Sequence, residues 1–277
     1  MQRINSRQNP LVSRYRAVAR GEVGELLLLD GVHLVREALD AGLQVRQAAV
    51  GSAAAGRDEL NALVSRLKQS GVDIVLAADK VMDVLSPVRS SSTIVAIAER
   101  PPVSIDAMYS GGRGLVVIAG GVQDPGNVGA IVRVAEAAGA TGVVMTAGSA
   151  DPFGWKALRG AMGSSLRLAV TSVPDVEAAV ADARRHGCRI VATAPRSGRP
   201  FVDVDLRPAT AVLIGGEGRG LAQSVVDAAD ERVTIPMQPP VESLNAAVSA
   251  ALVVYEARRQ RAAASERART ATADRRT

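Results

Sequence analysis

The chain has 277 residues, 47% of them hydrophobic and 22% charged, with 33 Lys plus Arg against 28 Asp plus Glu for a net charge of +5. That balance supports a buried core in one large domain or two ordinary ones, and it excludes a globally disordered or collagen-like chain. A single cysteine, Cys188, excludes a disulfide scaffold, and with a polar N-terminus and no apolar run of about 20 residues the chain reads as cytoplasmic.

Residues 1–20 carry Arg3, Arg7, Arg14, Arg16 and Arg20 and no acid, with a helical pattern from about Pro10 to Arg20. Short elements follow: a strand near Glu25–Asp30, a helix near Val32–Ala41, a strand near Val45–Val50 and a helix near Arg57–Gln69. After these come a strand near Asp73–Leu76, a helix near Lys80–Leu85 and a strand near Thr93–Ala98. Residues 99–114 (ERPPVSIDAMYSGGRG) hold two Pro and three Gly, which break both periodicities and mark a linker at 101–113. Continuous apolar strands are then expected near Leu115–Ala119, Gly142–Met145, Arg189–Thr193, Ala211–Ile214 and Val233–Ile235. A long amphipathic helix from Ser243 to about Arg261 places Leu244, Val248, Ala251, Leu252 and Tyr255 on one face, a surface for a second copy or ordinary core. Residues 262–277 almost lack large apolar side chains and are expected to form a mobile basic tail.

Alternating strands and helices are the pattern of stacked β-α units on a largely parallel sheet. The domains expected are 1–100 and 114–261. Seven Arg lie between 258 and 277, so each end carries +5 and residues 21–257 sum to −5. Only Lys68, Lys80 and Lys156 are lysine, and guanidinium suits phosphate better than ammonium. A polyanionic partner is implied. Aromatic residues make up only 2%, which excludes an RNA surface built on rows of stacking rings and leaves Arg and backbone to hold nucleic acid.

Three segments gather Gly, Pro and polar residues at the C-terminal ends of expected strands, where open α/β sheets bind ligands. The first is Gly120–Ala140, with a turn at Asp124-Pro125-Gly126 and Arg133 and Glu136 on the helix after it. The second is Leu213–Leu221, a strand entering a loop with Gly215, Gly216, Gly218 and Gly220 around Glu217. The third is Ile235–Asn245, ending in Glu242, Ser243, Leu244 and Asn245, with Ser243 available as helix N-cap. Each alone has an ordinary reading: a tight connection, a solvated or salt-bridged arginine, a cap. The glycine spacing is not GxGxxG, which speaks against a dehydrogenase. Neither His33 nor His186 lies in these segments, so Ser243 lacks the usual base of a nucleophile, and no cluster has metal-ligand spacing.

Taken together, Asp124–Arg133, Gly215–Leu221 and Ile235–Asn245 resemble, in order and spacing, the three motifs of the SpoU (TrmH) family of SPOUT-class RNA ribose 2′-O-methyltransferases over residues 113–260. Residues 1–100, with LLLLDGVHLVREALDAG, are similar to that family's N-terminal RNA-binding domain, itself like small ribosomal proteins. The resemblance implies an α/β fold with a trefoil knot in a parallel sheet, a homodimer with its site at the interface, and S-adenosylmethionine bent into the knot. It implicates Gly215, Ile235 and Leu244 in cofactor binding, with Ile214, Gly216, Thr193, Met237 and Asn245 as neighbours. It assigns Arg133 the central catalytic role, with Asn127, Glu217, Ser243 and Asn245 around it; no metal is expected, and the charge of the N-terminus makes Arg3, Arg7, Arg14 and Arg16 the expected RNA contacts. A guanidinium with a pKa above about 12 is a poor base. A clamp on RNA phosphate that stabilises the developing alkoxide is therefore the favoured role of Arg133, with direct proton acceptance left open. Ribosomal RNA is the expected substrate. Transfer RNA is the nearest alternative, and a non-catalytic RNA-binding or ribosome-assembly protein is the alternative of another class. Gly216 stands where many relatives have Asn or Ser, which removes a side-chain contact and leaves Glu217 in register.

Overall fold

The computed structural model describes residues 2–52, 58–88, 90–110, 112–218 and 220–274, without the side chains of 267–274. Arg57, Gly111, Arg219 and the last three residues, all within segments read above, lie outside the described residues. The chain divides into two compact units, Met1–Pro102 with Phe153–Arg167, and Val103–Pro152 with Leu168–Thr277.

The first unit holds β1 (Gln2–Ile4), α1 (Pro10–Ala19), β2 (Leu26–Asp30), α2 (Val32–Asp40), β3 (Val45–Gly51), α3 (Asp58–Gln69), β4 (Asp73–Ala77), α4 (Asp79–Leu85) and β5 (Ile94–Glu99). Helix α1 starts where it does because the Asn9 side chain accepts from the Leu11 N–H and Pro10 supplies the fixed φ of a first helical residue. The sheet order is β1-β4-β3-β5-β2. It is mixed rather than largely parallel, because β5 returns antiparallel to both β3 and β2. Strand β1, unforeseen in the polar N-terminus, pairs parallel with β4 and buries only Ile4. Val12, Tyr15 and Val18, spaced at helical period, carry α1 into the core.

The second unit opens with α5 (Ile105–Tyr109), which corrects the reading of 101–113 as a linker throughout. Ser104 caps this short helix, and Met108 is fully buried in the core of the unit. Then come β6 (Leu115–Gly120), α6 (Pro125–Ala137) and β7 (Gly142–Thr146), before the chain supplies α7 (Trp155–Ala161) to the first unit. There Arg159 reaches the buried Asp30 at 3.0 Å, Ser86 donates to the same carboxylate at 2.8 Å, and Arg167 pairs with Glu37. Removing one partner of such a pair leaves a buried charge uncompensated. The chain returns as β8 (Ala169–Val173), α8 (Val176–Arg185), β9 (Arg189–Thr193), β10 (Arg199–Pro200), β11 (Thr210–Gly215), α9 (Gln223–Asp227), β12 (Glu231–Thr234) and α10 (Ala246–Asp274).

This sheet is parallel throughout, in the order β10-β12-β9-β11-β6-β7-β8. Every residue of β6 and β7 is buried, as their uninterrupted apolar runs require when both faces are covered. Helix α10 corrects two expectations. It begins at Ala246, because the Asn245 side chain, not Ser243, accepts from the Ala247 and Val248 N–H groups at 2.9 and 3.3 Å. It also runs on to Asp274 instead of releasing a tail near Arg261, since the residues beyond are rich in Ala, the strongest helix former. Arg261 fastens the helix by donating to the carbonyls of Leu206, Arg113, Gly114 and Pro208. Its guanidinium is half-buried, and that desolvation lowers its pKa.

Candidate active site

Four loops leave the C-terminal ends of β6, β9, β11 and β12, and parallel strands necessarily bring those ends to one edge of the sheet. The loops after β9, β11 and β12 enclose a cavity of about 870 Å³, within the usual range for ligand sites. All eight residues implicated above in or beside cofactor binding line it: Thr193, Ile214, Gly215, Gly216, Ile235, Met237, Leu244 and Asn245.

The walls are close-packed backbone. The Gly216 N–H donates to the Gly120 carbonyl at 2.7 Å, and a Cβ on Gly216 would collide with the Gly121 carbonyl. At Gly215 a Cβ would sit 2.6 Å from the Gly220–Leu221 peptide. Gly216, read above as a lost side-chain contact, is therefore the residue that permits the β6 and β11 loops to touch. The Thr193 hydroxyl donates to the Leu213 carbonyl at 2.9 Å and ties β9 to β11 at the cavity floor.

At the mouth, one hydrogen-bond chain joins all three motifs. Asn245 Nδ2 donates to Asn127 Oδ1 at 3.0 Å, and Asn127 Nδ2 donates to Glu217 Oε1 at 2.5 Å. The backbone N–H of Gln123 donates to Glu217 Oε2 at 3.1 Å. Partial burial would raise the Glu217 carboxyl, but the bonds from Asn127 and from backbone N–H groups outweigh it and hold the pKa below its ordinary value. Glu217 is therefore an oriented anion at neutral pH. Asn127 is itself set by Asp124, which caps α6 by accepting from the Asn127 N–H at 2.9 Å.

Glu217, Ser243 and Asn245 line the cavity, and Asn127 reaches them through this chain. Arg133 does not join them. It stands six residues beyond Asn127, about 120° around the helix, exposed and without a hydrogen bond or ion pair among the described residues. The candidate RNA contacts are in the first unit. Arg3, Arg14 and Arg16 are exposed and free of hydrogen bonds and ion pairs among the described residues, whereas Arg7 is tied to the Lys80 carbonyl at 2.8 Å. Among the described residues no three His, Cys, Asp or Glu side chains could hold a metal ion, and no helix is long and apolar enough to cross a membrane.

The SpoU rRNA Methylase family matches residues 114–255, just over half of the chain and all three loops. The chain belongs to this family. An uncharacterized tRNA/rRNA methyltransferase of Synechocystis is 33% identical across 95% of both chains. The Bacillus subtilis 23S rRNA (guanosine(2553)-2′-O)-methyltransferase RlmP is 29% identical over 83% of this chain and 88% of its own. Among solved structures, the SpoU methyltransferase AviRb of Streptomyces viridochromogenes in complex with AdoMet superposes with a TM-score of 0.84, at 26% identity over 92% of this chain and 98% of that one. The SPOUT-class α/β fold is therefore shared, and S-adenosylmethionine is this SpoU chain's cofactor.

The cavity fits that molecule. Its glycine walls carry no side chains that would fill the space, and Ile214, Ile235 and Leu244 line it with apolar groups. Ionised Glu217 lines the same cavity and gives it a negative charge. One rim residue outside the motifs, Arg196, which pairs with Glu242 of the third motif, has no local mark in the sequence, because a lone Arg after a strand is commonplace.

Proposed function

We propose that this protein transfers a methyl group to a ribose 2′-hydroxyl of structured RNA, and that the RNA is ribosomal. The observation that carries the reading is the chain Asn245–Asn127–Glu217, which locks three separate loops into one constellation beside a backbone-walled cavity. A relative that covers both units is a 23S rRNA 2′-O-methyltransferase, which favours ribosomal over transfer RNA.

S-adenosylmethionine, when bound, supplies an electrophilic methyl group on a sulfonium. The residues of this chain hold the two reactants near contact and in line, and orientation of this kind accounts for much of an enzyme's advantage. Glu217, ionised and fixed by two donors, would supply the counter-charge to the sulfonium. A carboxyl with a lowered pKa is a weaker base than an ordinary one, so its part is electrostatic. Arg133 grips an RNA phosphate and offers positive charge where the alkoxide develops as the hydroxyl loses its proton.

Because Arg133 projects outside its own cavity, it serves the site of a second copy in a homodimer. Val248, Leu252 and Tyr255 on α10 are 47%, 37% and 48% exposed, while Ala250, Val253, Val254 and Ala257 face the core. The row expected on one face of the helix is thus not core, and it suits a second copy of the chain. Sedimentation at micromolar concentration yields a dimer on this reading; a monomer alone overturns it. Arg3, Arg14 and Arg16 supply salt-sensitive phosphate affinity in the cytoplasm.

Mapping 2′-O-methyl positions in total RNA from cells with and without the protein tests the whole assignment. One ribosomal nucleotide is expected to lose its methyl group, whereas an unchanged map refutes the reading and a loss confined to tRNA moves the substrate.

A further inference from the structure

The cavity rim carries a charged pair, one partner from the third motif and one from outside all three, for which the site described above gives no role. Arg196 lines it from the loop after β9, and its Nη2 lies 3.1 Å from Oε1 of Glu242, beside Ser243 in the loop after β12. The side chains are 74% and 79% exposed. A pair so exposed contributes little to stability, yet its mounting is rigid. The Ala194 N–H donates to the Val233 carbonyl at 2.8 Å, and the Thr234 hydroxyl donates to the Pro195 carbonyl at 3.1 Å. Ser197 is held at φ +65°, a left-handed conformation that costs a non-glycine residue energy and tends to collect at ligand sites. Gly198 packs so tightly on β12 that a Cβ would lie 2.7 Å from the Val233 carbonyl carbon.

The other charged side chains lining the cavity are committed elsewhere, Glu217 to Asn127 and Gln123, and Arg232 to Asp227 at 3.3 Å. On the methyltransferase reading, the ligand has one part that neither apolar walls nor backbone edges satisfy. That part is its amino-acid end, an α-carboxylate and an α-ammonium side by side. We propose that Arg196 and Glu242 form a clasp for this zwitterion, the guanidinium taking the carboxylate and the Glu242 carboxylate taking the ammonium. Inserting a zwitterion into an exposed pair of opposite charges leaves every charge with a counter-charge. The guanidinium, which offers one nitrogen to Glu242, has further N–H groups for a carboxylate.

Calorimetry on the full chain tests this with two probes that share a nucleoside: S-adenosylhomocysteine, which keeps the amino-acid end, and 5′-methylthioadenosine, which lacks it. Arg196→Ala and Glu242→Gln are each expected to weaken S-adenosylhomocysteine about fivefold, the scale of one exposed charge pair, and to leave 5′-methylthioadenosine within about twofold. Arg196→Lys should recover part of the loss. Equal weakening of both probes, unchanged S-adenosylhomocysteine binding, or a loss confined to RNA affinity overturns the clasp, the last by assigning the guanidinium to phosphate. Failure of the wild-type protein to bind S-adenosylhomocysteine at all is a different result and brings down the methyltransferase reading itself.

Discussion

Asn245 holds two jobs in one side chain, and two substitutions separate them. Its Oδ1 caps α10 by accepting from Ala247 and Val248, and its Nδ2 donates to Asn127, which orients the amide that holds Glu217. Asn245→Ala removes both functions. Loss of the cap costs about 1 kcal/mol, which lowers Tm by about 2–4 °C for a chain of this size. Asn245→Asp keeps the cap, since Asp and Asn cap equally well and a carboxylate suits a helix N-terminus. It deletes the Nδ2 donor, however, and sets a carboxylate against Asn127 Oδ1. Asn127 then either faces that repulsion or turns its amide, and turning withdraws its N–H from Glu217. A hydrogen bond to a charged group contributes about 1.5–3 kcal/mol, or roughly ten- to a hundredfold in rate if the chain orients the reactants. Thermal melts and single-turnover methyl transfer read the two effects separately. Asn245→Asp should melt within about 1 °C of wild type and react at least tenfold more slowly. Full activity in that variant would show that the chain is a structural convenience, and a melt as low as that of Asn245→Ala would show that the cap is misassigned.

Arg133→Ala should abolish methylation while S-adenosylhomocysteine binding, measured by calorimetry, stays near wild type, because the side chain lies outside the cavity. Gly216→Ala drives a methyl group into the Gly121 carbonyl, a backbone neighbour that cannot turn aside. The expected cost is about 1–3 kcal/mol, read as a fall in Tm together with loss of S-adenosylhomocysteine binding, and unaltered binding would contradict the close approach of the two loops. Glu217 has a lowered pKa in the folded chain, so its contribution to stability is fully present above the ordinary Glu value of about 4.3 and disappears as pH falls through the native value. In melts from pH 7 to pH 3, the advantage of wild type over Glu217→Gln should therefore fade on the acid side; a difference constant with pH refutes the assignment.

The strands were legible because their information is local. Leu115–Gly120 and Gly142–Thr146 are uninterrupted apolar runs, and only elements buried on both faces read so. Asn9-Pro10 announced α1 for an equally local reason, a cap followed by a residue with a preset φ. The residues that the resemblance names for a cofactor, Asn245 among them, all line one cavity. Ala169–Val173, a short strand with mixed burial, left no comparable mark, whereas Val176–Arg185 does carry local ones, the Asp175 cap and Arg184 and Arg185 in its last turn.

Long-range contacts decided the rest. Ser243 and Asn245 are both good caps by composition, and only the distance from Asn245 to the Ala247 and Val248 N–H groups selects between them. Nothing near residues 153–167 in sequence shows that they belong with residues 1–102, because their anchors, Asp30 and Glu37, lie some 130 positions away. The sense of β5 and the placement of Arg133 outside the cavity likewise depend on strand pairing and helix phase across the whole chain. By itself the sequence determined the elements and the chemical groups each loop offers, since propensity, period and turn chemistry act within a few residues. Which of those groups meet was decided by the parallel sheet, whose strand order gathers loops from residues 121, 194, 216 and 235 onward at one edge through hydrogen bonds that no local pattern encodes.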